Sequence, residues 1–179
     1  MPSPIAHSAT GYIISRFLST KYQQGRYFKN PILSLVFVVL VANAADIDFI
    51  FESITGENYH RGFTHSLVFC IVFSIFVAAI DFICRRKIIP QLFWLTLILY
   101  SSHLLLDFFT SGGKGMLLFW PFSPDFYKSS WSLFPPVHHE LSLFAPVHLI
   151  FISFELAYSF VIYSMLHFWQ KNKQKIEIN

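Results

Sequence analysis

Ser66 to Cys84 reads SLVFCIVFSIFVAAIDFIC, an apolar run interrupted by one charge, Asp81. A helix rises ~1.5 Å per residue, so a run of this length covers ~28 Å, close to the ~30 Å hydrocarbon core of a bilayer. Lipid offers the backbone no hydrogen-bond partner, so such a run must be a helix that satisfies its own N–H and C=O groups. Three further segments have the same character: Pro31–Phe51, Ile88–Phe109 and Leu143–Trp169. The fold expected is an all-α, polytopic integral membrane helix bundle with four long transmembrane helices in one domain, residues 1–179. A fifth segment, Pro4–Leu18, is shorter and carries His7, Ser8, Thr10 and Arg16. The residues alone leave it as either a short membrane-inserted helix or an interfacial one.

Composition agrees. Apolar types make up 54% of the 179 residues and charged types 13%, with 22 Phe. A soluble domain carries roughly 25% charged residues, so both a soluble domain and a disordered chain are excluded. Cys70 and Cys84 lie inside an apolar run, which points away from a disulfide framework. The net charge of +3 is small and scattered, so no nucleic-acid partner is expected. Met1 to Asn30 lacks the charge pattern and cleavage site of a removable signal.

Lys and Arg set the orientation. Arg16, Lys21, Arg26, Lys29, Arg85, Arg86, Lys87, Lys171, Lys173 and Lys175 fall on one side of an alternating model, and only Arg61, Lys114 and Lys128 on the other. The side with ten is read as cytoplasmic, with the C-terminus. The loops Glu52–Thr64 and Thr110–Ser142 then face outward. The aromatics of the second loop, Trp120, Phe122, Phe126, Trp131 and Phe134, read as an interfacial belt.

Ionisable residues are costly in a membrane, and here they converge. Asp46 and Asp48 end the first long span, His60, Arg61, Thr64 and His65 open the second, and His103 and Asp107 lie near the end of the third. All three groups sit at the outward ends of their helices. His103 and Asp107 are i and i+4, so they share a helical face. Asp46 and Asp48 are i and i+2, so both reach one site only if the helix ends or unwinds there. Gly62 permits a sharp turn, and Thr64 is placed to cap the following helix with His65 in its first turn. Imidazoles and carboxylates without nearby thiols suit a divalent transition metal, zinc first, with manganese or iron as the others. A carboxylate beside such a metal, here Asp48, can act as general base. Arg61 is placed either to bind phosphate or to pair with Asp46 or Asp48.

The motifs resemble those of the YdjM-like metal-dependent hydrolases of the bacterial inner membrane, some of them LexA-regulated. The resemblance rests on the early His7, on Asp46-Ile47-Asp48, on His60-Arg61-Gly62-Phe63-Thr64-His65-Ser66, on Ser102-His103 with Asp107 and Thr110, and on Leu117-Leu118-Phe119-Trp120-Pro121. They come in the family's order across residues 1–121. Relatives often follow the Asp-x-Asp with His-Pro, where this chain has Phe49-Ile50. Carried over by motif, the resemblance implies Asp46 or Asp48, His65, His103 and Asp107 as metal ligands and brings in the early His7; with the reading of the residues this gives a metal set of His7, Asp46, His60, His65, His103 and Asp107, with Asp48 and Arg61 catalytic. It also implies a distant similarity to zinc-dependent phospholipase C and P1 nuclease, and so hydrolysis of a phosphoester of a lipid or lipid-linked substrate. Placing His7 with the other ligands requires the first segment to insert, with the amino terminus outside. A membrane transporter or metal-ion carrier using the same His/Asp cluster is the alternative function. His138, His139, Glu140 and His148 are candidates for a second metal. Glu155 reads as an acid hydrogen-bonded inside the bundle, and Asp81 with Arg85 as a structural pair.

Overall fold

The computed structural model describes residues 2–22, 30–56, 60–86, 90–111, 113–135 and 146–178. Its helices are α1 (Pro4–Tyr22), α2 (Pro31–Ala42), α3 (Asp48–Thr55), α4 (Leu67–Arg85), α5 (Pro90–Phe108) and α6 (Pro146–Ile178), with 3-10 turns at Ala44–Ile47 and Phe63–His65. The described residues contain no β-strand, only isolated bridges at Thr110–Phe134 and Met116–Tyr127.

Leu67–Cys84, Pro90–Phe108 and Leu149–Asn172 are long and apolar enough to cross a membrane. The fourth span is broken, with Pro31–Ala42 and Ala44–Glu52 meeting at a bend of 65°. Asn43 marks the break. Its Nδ2 donates to Val39 O on the preceding turn and to Ser8 Oγ on α1, which ties the loosened turn to a neighbouring helix. Ile71, Val72, Ile75, Phe76, Ile80 and Ile83 of α4 are all exposed. Such a continuous apolar face is untenable in water and is what lipid requires.

α1 is less apolar than these spans but packs on α2, α5 and α6. Contacts pair Ser3 with Glu155, Thr10 with Tyr158 and Phe17 with Trp169, so α1 and α6 run parallel. By its packing, α1 is part of the helix bundle. Gly11 makes the close approach possible: a Cβ there would lie 2.8 Å from Ala42 Cβ. Small residues at a crossing are the usual device where lipid supplies no hydrophobic drive.

Residues 109–111 and 113–135 fold over the end of the bundle where α1 begins. Met116 and Tyr127 exchange both backbone hydrogen bonds, Leu117 N donates to Arg61 O, and Leu67 N donates to Leu118 O. Gly115 has φ +99, and a Cβ there would meet Tyr127 O at 2.6 Å. Trp120, Phe122 and Trp131 are exposed, as a belt requires, but Phe134 is buried against Ala6, Leu106 and Tyr158. Phe134 is a core residue because its backbone is tied to Phe109 and Ser111.

Candidate metal centre

Five pieces of chain bring the candidate residues together. His7 comes from the first turns of α1, Asp46 from the 3-10 turn after the α2 break, and Asp48 from the start of α3. His60, Arg61 and His65 come from the connection into α4, and His103 and Asp107 from the last turns of α5. The break after α2 is what lets both Asp46 and Asp48 face one centre. His7, Asp48, His65, His103 and Asp107 are each at most 1% exposed.

The imidazole orientations are fixed from behind. His103 Nδ1 lies 2.8 Å from Ala42 O. A carbonyl only accepts, so Nδ1 carries the proton and Nε2 is bare. His65 Nδ1 lies 3.2 Å from Asp48 Oδ2, which also accepts from Thr64 Oγ1 and from the Arg61 backbone N–H. His65 thus also turns Nε2 forward, held by a carboxylate behind it as metal-binding imidazoles usually are.

The two Nε2 atoms are 3.3 Å apart. His65 Nε2 is 3.4 Å from Asp107 Oδ2 and 3.6 Å from Asp46 Oδ1. His103 Nε2 is 3.4 Å from Asp46 Oδ1 and 4.0 Å from Asp107 Oδ2. One ligand atom from each of these four residues lies within 4.8 Å of the others. Both oxygens of Asp46 and of Asp107 are buried without a hydrogen-bond donor. Four acceptors facing one another repel unless a cation or protons lie between them. Around tetrahedral zinc with bonds of ~2.0–2.1 Å the ligand atoms sit ~3.3 Å apart, so the donor set fits a divalent ion.

Asp46 also belongs to a second group, with Asp48 and His60. There His60 Nδ1 is 3.7 Å from Asp48 Oδ1, and its ring stacks on Phe49. His7 lies beside these groups rather than in either. Its ring stacks on His103 at 3.8 Å, and its Nε2 is 3.5 Å from Asp107 Oδ1.

Burial acts to lower the His65 pKa, but the surrounding carboxylates of Asp107, Asp46 and Asp48 outweigh it and lift the group well above its ordinary value.

Three local expectations change. Thr64 does not cap α4: Ser66 does, accepting from Phe69 N, while Thr64 serves Asp48 and His65 lies in the 3-10 turn before the helix. Arg61 pairs with neither Asp46 nor Asp48 through its guanidinium: Nε lies 3.3 Å from Asp107 Oδ2. The sharp turn also falls at Arg61, with φ 60, rather than at Gly62. A non-glycine residue there is strained and needs external support. Asp48 on its N–H and Leu117 on its carbonyl supply it.

The sequence did not single out Tyr100, whose hydroxyl donates to Thr64 O at 2.7 Å and holds the 3-10 turn in place. Its position one turn before His103 was the available signal. Nor did it single out the carbonyl of Ala42, which no residue pattern marks. His138, His139 and Glu140, and the side chains of His148 and Arg85, lie outside the described residues.

Glu155 is fully buried on α6, and its two oxygens accept from the backbone N–H and hydroxyl of Ser3. Ser3 Oγ in turn accepts from Ile5 N, and Ser3 O receives His7 N, so Glu155 anchors the first turn of the helix that carries His7. A carboxylate at a helix N-terminus is also favoured by the helix dipole. Glu155→Ala should loosen that turn and lower metal affinity about tenfold, with Glu155→Gln recovering most of it. Amide hydrogen exchange over residues 4–8 and metal titration check this. Unchanged exchange in the Ala variant would refute it.

A family model described as YdjM inner membrane protein matches residues 1–174. The chain belongs to the YdjM inner membrane protein family. It is 33% identical over 146 residues to the inner membrane protein YbcI of Escherichia coli (strain K12), across 79% of this chain and 80% of that one. No solved structure matches significantly. The YdjM family match runs from the turn that carries His7 through most of α6, so every residue of the centre lies within it.

Proposed function

We propose that this YdjM-family protein is a membrane-bound metal-dependent hydrolase that cleaves a phosphoester of a lipid or lipid-linked substrate. The observation that carries the reading is that His65, His103, Asp46 and Asp107 each turn one ligand atom to a common point, with the buried oxygens of Asp46 and Asp107 lacking a hydrogen-bond partner. These residues would hold the ion, zinc being the best match, with manganese or iron as alternatives. A bound divalent ion would supply a water of lowered pKa and an electrophile for a phosphoryl oxygen.

The chain supplies the rest. Asp48 orients His65 with Oδ2 and keeps Oδ1 turned to His60, a pair placed to take a proton from water. Arg61 is buried with its guanidinium beside Asp107, where it offsets carboxylate charge and offers its remaining N–H groups to a phosphoryl oxygen. The site sits where α1 and α4 begin and α2 and α5 end. With ten of thirteen Lys and Arg on the opposite side, that end faces outward and the C-terminus is cytoplasmic. A transporter places its polar groups near the midplane, often on broken helices, and the broken span after α2 shares only the second of these features. Here they gather at helix ends, which supports the enzyme.

The test is turnover. Detergent-purified protein is stripped by chelator, reloaded with zinc or manganese, and offered bis(p-nitrophenyl) phosphate and phosphatidylcholine vesicles doped with phosphatidic acid. Release of p-nitrophenol or phosphate should require the metal and vanish in His65→Ala. Metal bound without turnover on either probe would transfer the site to the carrier reading.

A further inference from the structure

The Lys and Arg residues that depart from the charge asymmetry are Arg61, Lys114 and Lys128, and the structure gathers them at one turn. Lys128 Nζ donates to Gly113 O at 3.0 Å. Lys114, the next residue, holds its Nζ 4.3 Å from the centre of the Phe126 ring. Arg61 Nη1 lies 3.8 Å from where a Cβ would stand on Gly113. Among the described residues neither lysine makes an ion pair with an acid, so both ammonium groups remain available to a ligand.

Beside this turn is a cavity of about 220 Å³ lined by His60, Gly62, Phe63, Lys114, Leu117, Trp120 and Phe126. His60 belongs both to this cavity and to the group with Asp46 and Asp48, so the cavity adjoins the centre. Its walls are largely aromatic and its charge is positive. An apolar ligand alone would have no use for the lysines. A small hydrophilic anion would have no use for Phe63, Trp120 and Phe126. A hydrated metal cation in transit would be repelled.

The geometry points to a substrate subsite for a phosphate ester that carries an apolar group. Lys114 takes the phosphate oxygens, with Lys128 held nearby on Gly113 O, and Phe63, Trp120 and Phe126 take the organic portion. Lys114 and Trp120 are specificity determinants. This rests on the hydrolase reading for its meaning, but its binding test does not need turnover.

The probes are inorganic phosphate and phenyl phosphate, titrated calorimetrically into detergent-purified protein whose metal content is measured in the same sample. Phenyl phosphate should bind about tenfold more tightly than phosphate, the margin of one buried aromatic contact. Lys114→Ala should weaken both about tenfold, with Lys114→Arg recovering the loss. Trp120→Ala should remove the preference for phenyl phosphate and leave phosphate unchanged. Lys114 and Trp120 are exposed, so neither change threatens the core.

Equal binding of the two probes, or binding indifferent to Lys114→Ala, overturns the subsite. If metal is present in that case, the metal centre stands and only the subsite falls. If metal is absent but binding follows Lys114 and Trp120, the subsite stands and the hydrolase reading falls. Competition by phosphatidic acid in phosphatidylcholine nanodiscs assigns the ester to the membrane, and competition by soluble esters alone assigns it to solution.

Discussion

His103→Ala should leave the protein folded and unable to hold its metal. Wild type, purified without chelator and offered zinc, is expected to carry about one equivalent or more by elemental analysis, and the variant close to none. His103 supplies one of four facing acceptor atoms, and its Nδ1 is held by Ala42 O, so no neighbouring imidazole replaces it. The loss should exceed the ~10–100-fold that follows removal of a mere supporting partner. His7 stacks flat on His103 and is the natural candidate to compensate, but its Nε2 is directed to Asp107 Oδ1. The double variant His7→Ala with His103→Ala separates compensation from absence. Asp107 gives the same loss by a different route. Asp107→Ala also leaves Arg61 buried beside no carboxylate, which costs on the order of 3–5 kcal/mol. Asp107→Asn keeps the volume and a carbonyl acceptor, so it should lose metal with less damage to stability. A wild type that stays empty after exposure to zinc and manganese would remove the basis of the metal reading.

How much of this centre was legible in the sequence depended on whether the cause was local. Asp46, Asp48, His103 and Asp107 stand out because charge in an apolar run is costly, and i, i+4 spacing assigns a face without knowing the fold. The unwinding after α2 followed from the requirement that Asp46 and Asp48 both reach one site, and the bend at Asn43 meets it. What the spacing could not supply was the choice among carboxylates. The guanidinium of Arg61 goes to Asp107 rather than to the acids nearer in sequence, because the left-handed backbone at Arg61 turns the side chain toward α5. Ser66 rather than Thr64 caps α4 because Asp48 claims the Thr64 hydroxyl, a contact across sixteen residues. The contacts of α1 were likewise hidden. Its hydropathy is low because it spends its polar residues on neighbours: Ser3 on Glu155, Ser8 on Asn43 and Thr10 on Tyr158.

Metal affinity should fall steeply as the solution is made more acidic, and the metal-free protein should respond in the opposite sense. Without metal, His65 holds its proton among Asp46, Asp48 and Asp107, beside His103 and with Arg61 and His60 on the flanks. Its folded pKa is raised well above the ordinary imidazole value. The stability that this proton contributes is fully present below the unfolded value of ~6.5 and is lost as pH climbs through the raised folded value. A bound metal needs the lone pair on Nε2, so binding must displace that proton. Affinity should therefore rise with pH by up to roughly tenfold per unit until the folded value is passed. Thermal melting with and without zinc, from about pH 6 to about pH 9, reads both effects. The metal-free transition should drift downward toward alkaline pH while the gap opened by zinc widens. Asp48→Asn tests the cause. It leaves the four facing atoms in place but takes a negative charge from behind His65, so the folded pKa drops and the pH dependence should flatten. A dependence as steep in Asp48→Asn as in wild type would mean that the proton competing with zinc sits elsewhere, with Asp46 and Asp107 the groups left to hold it.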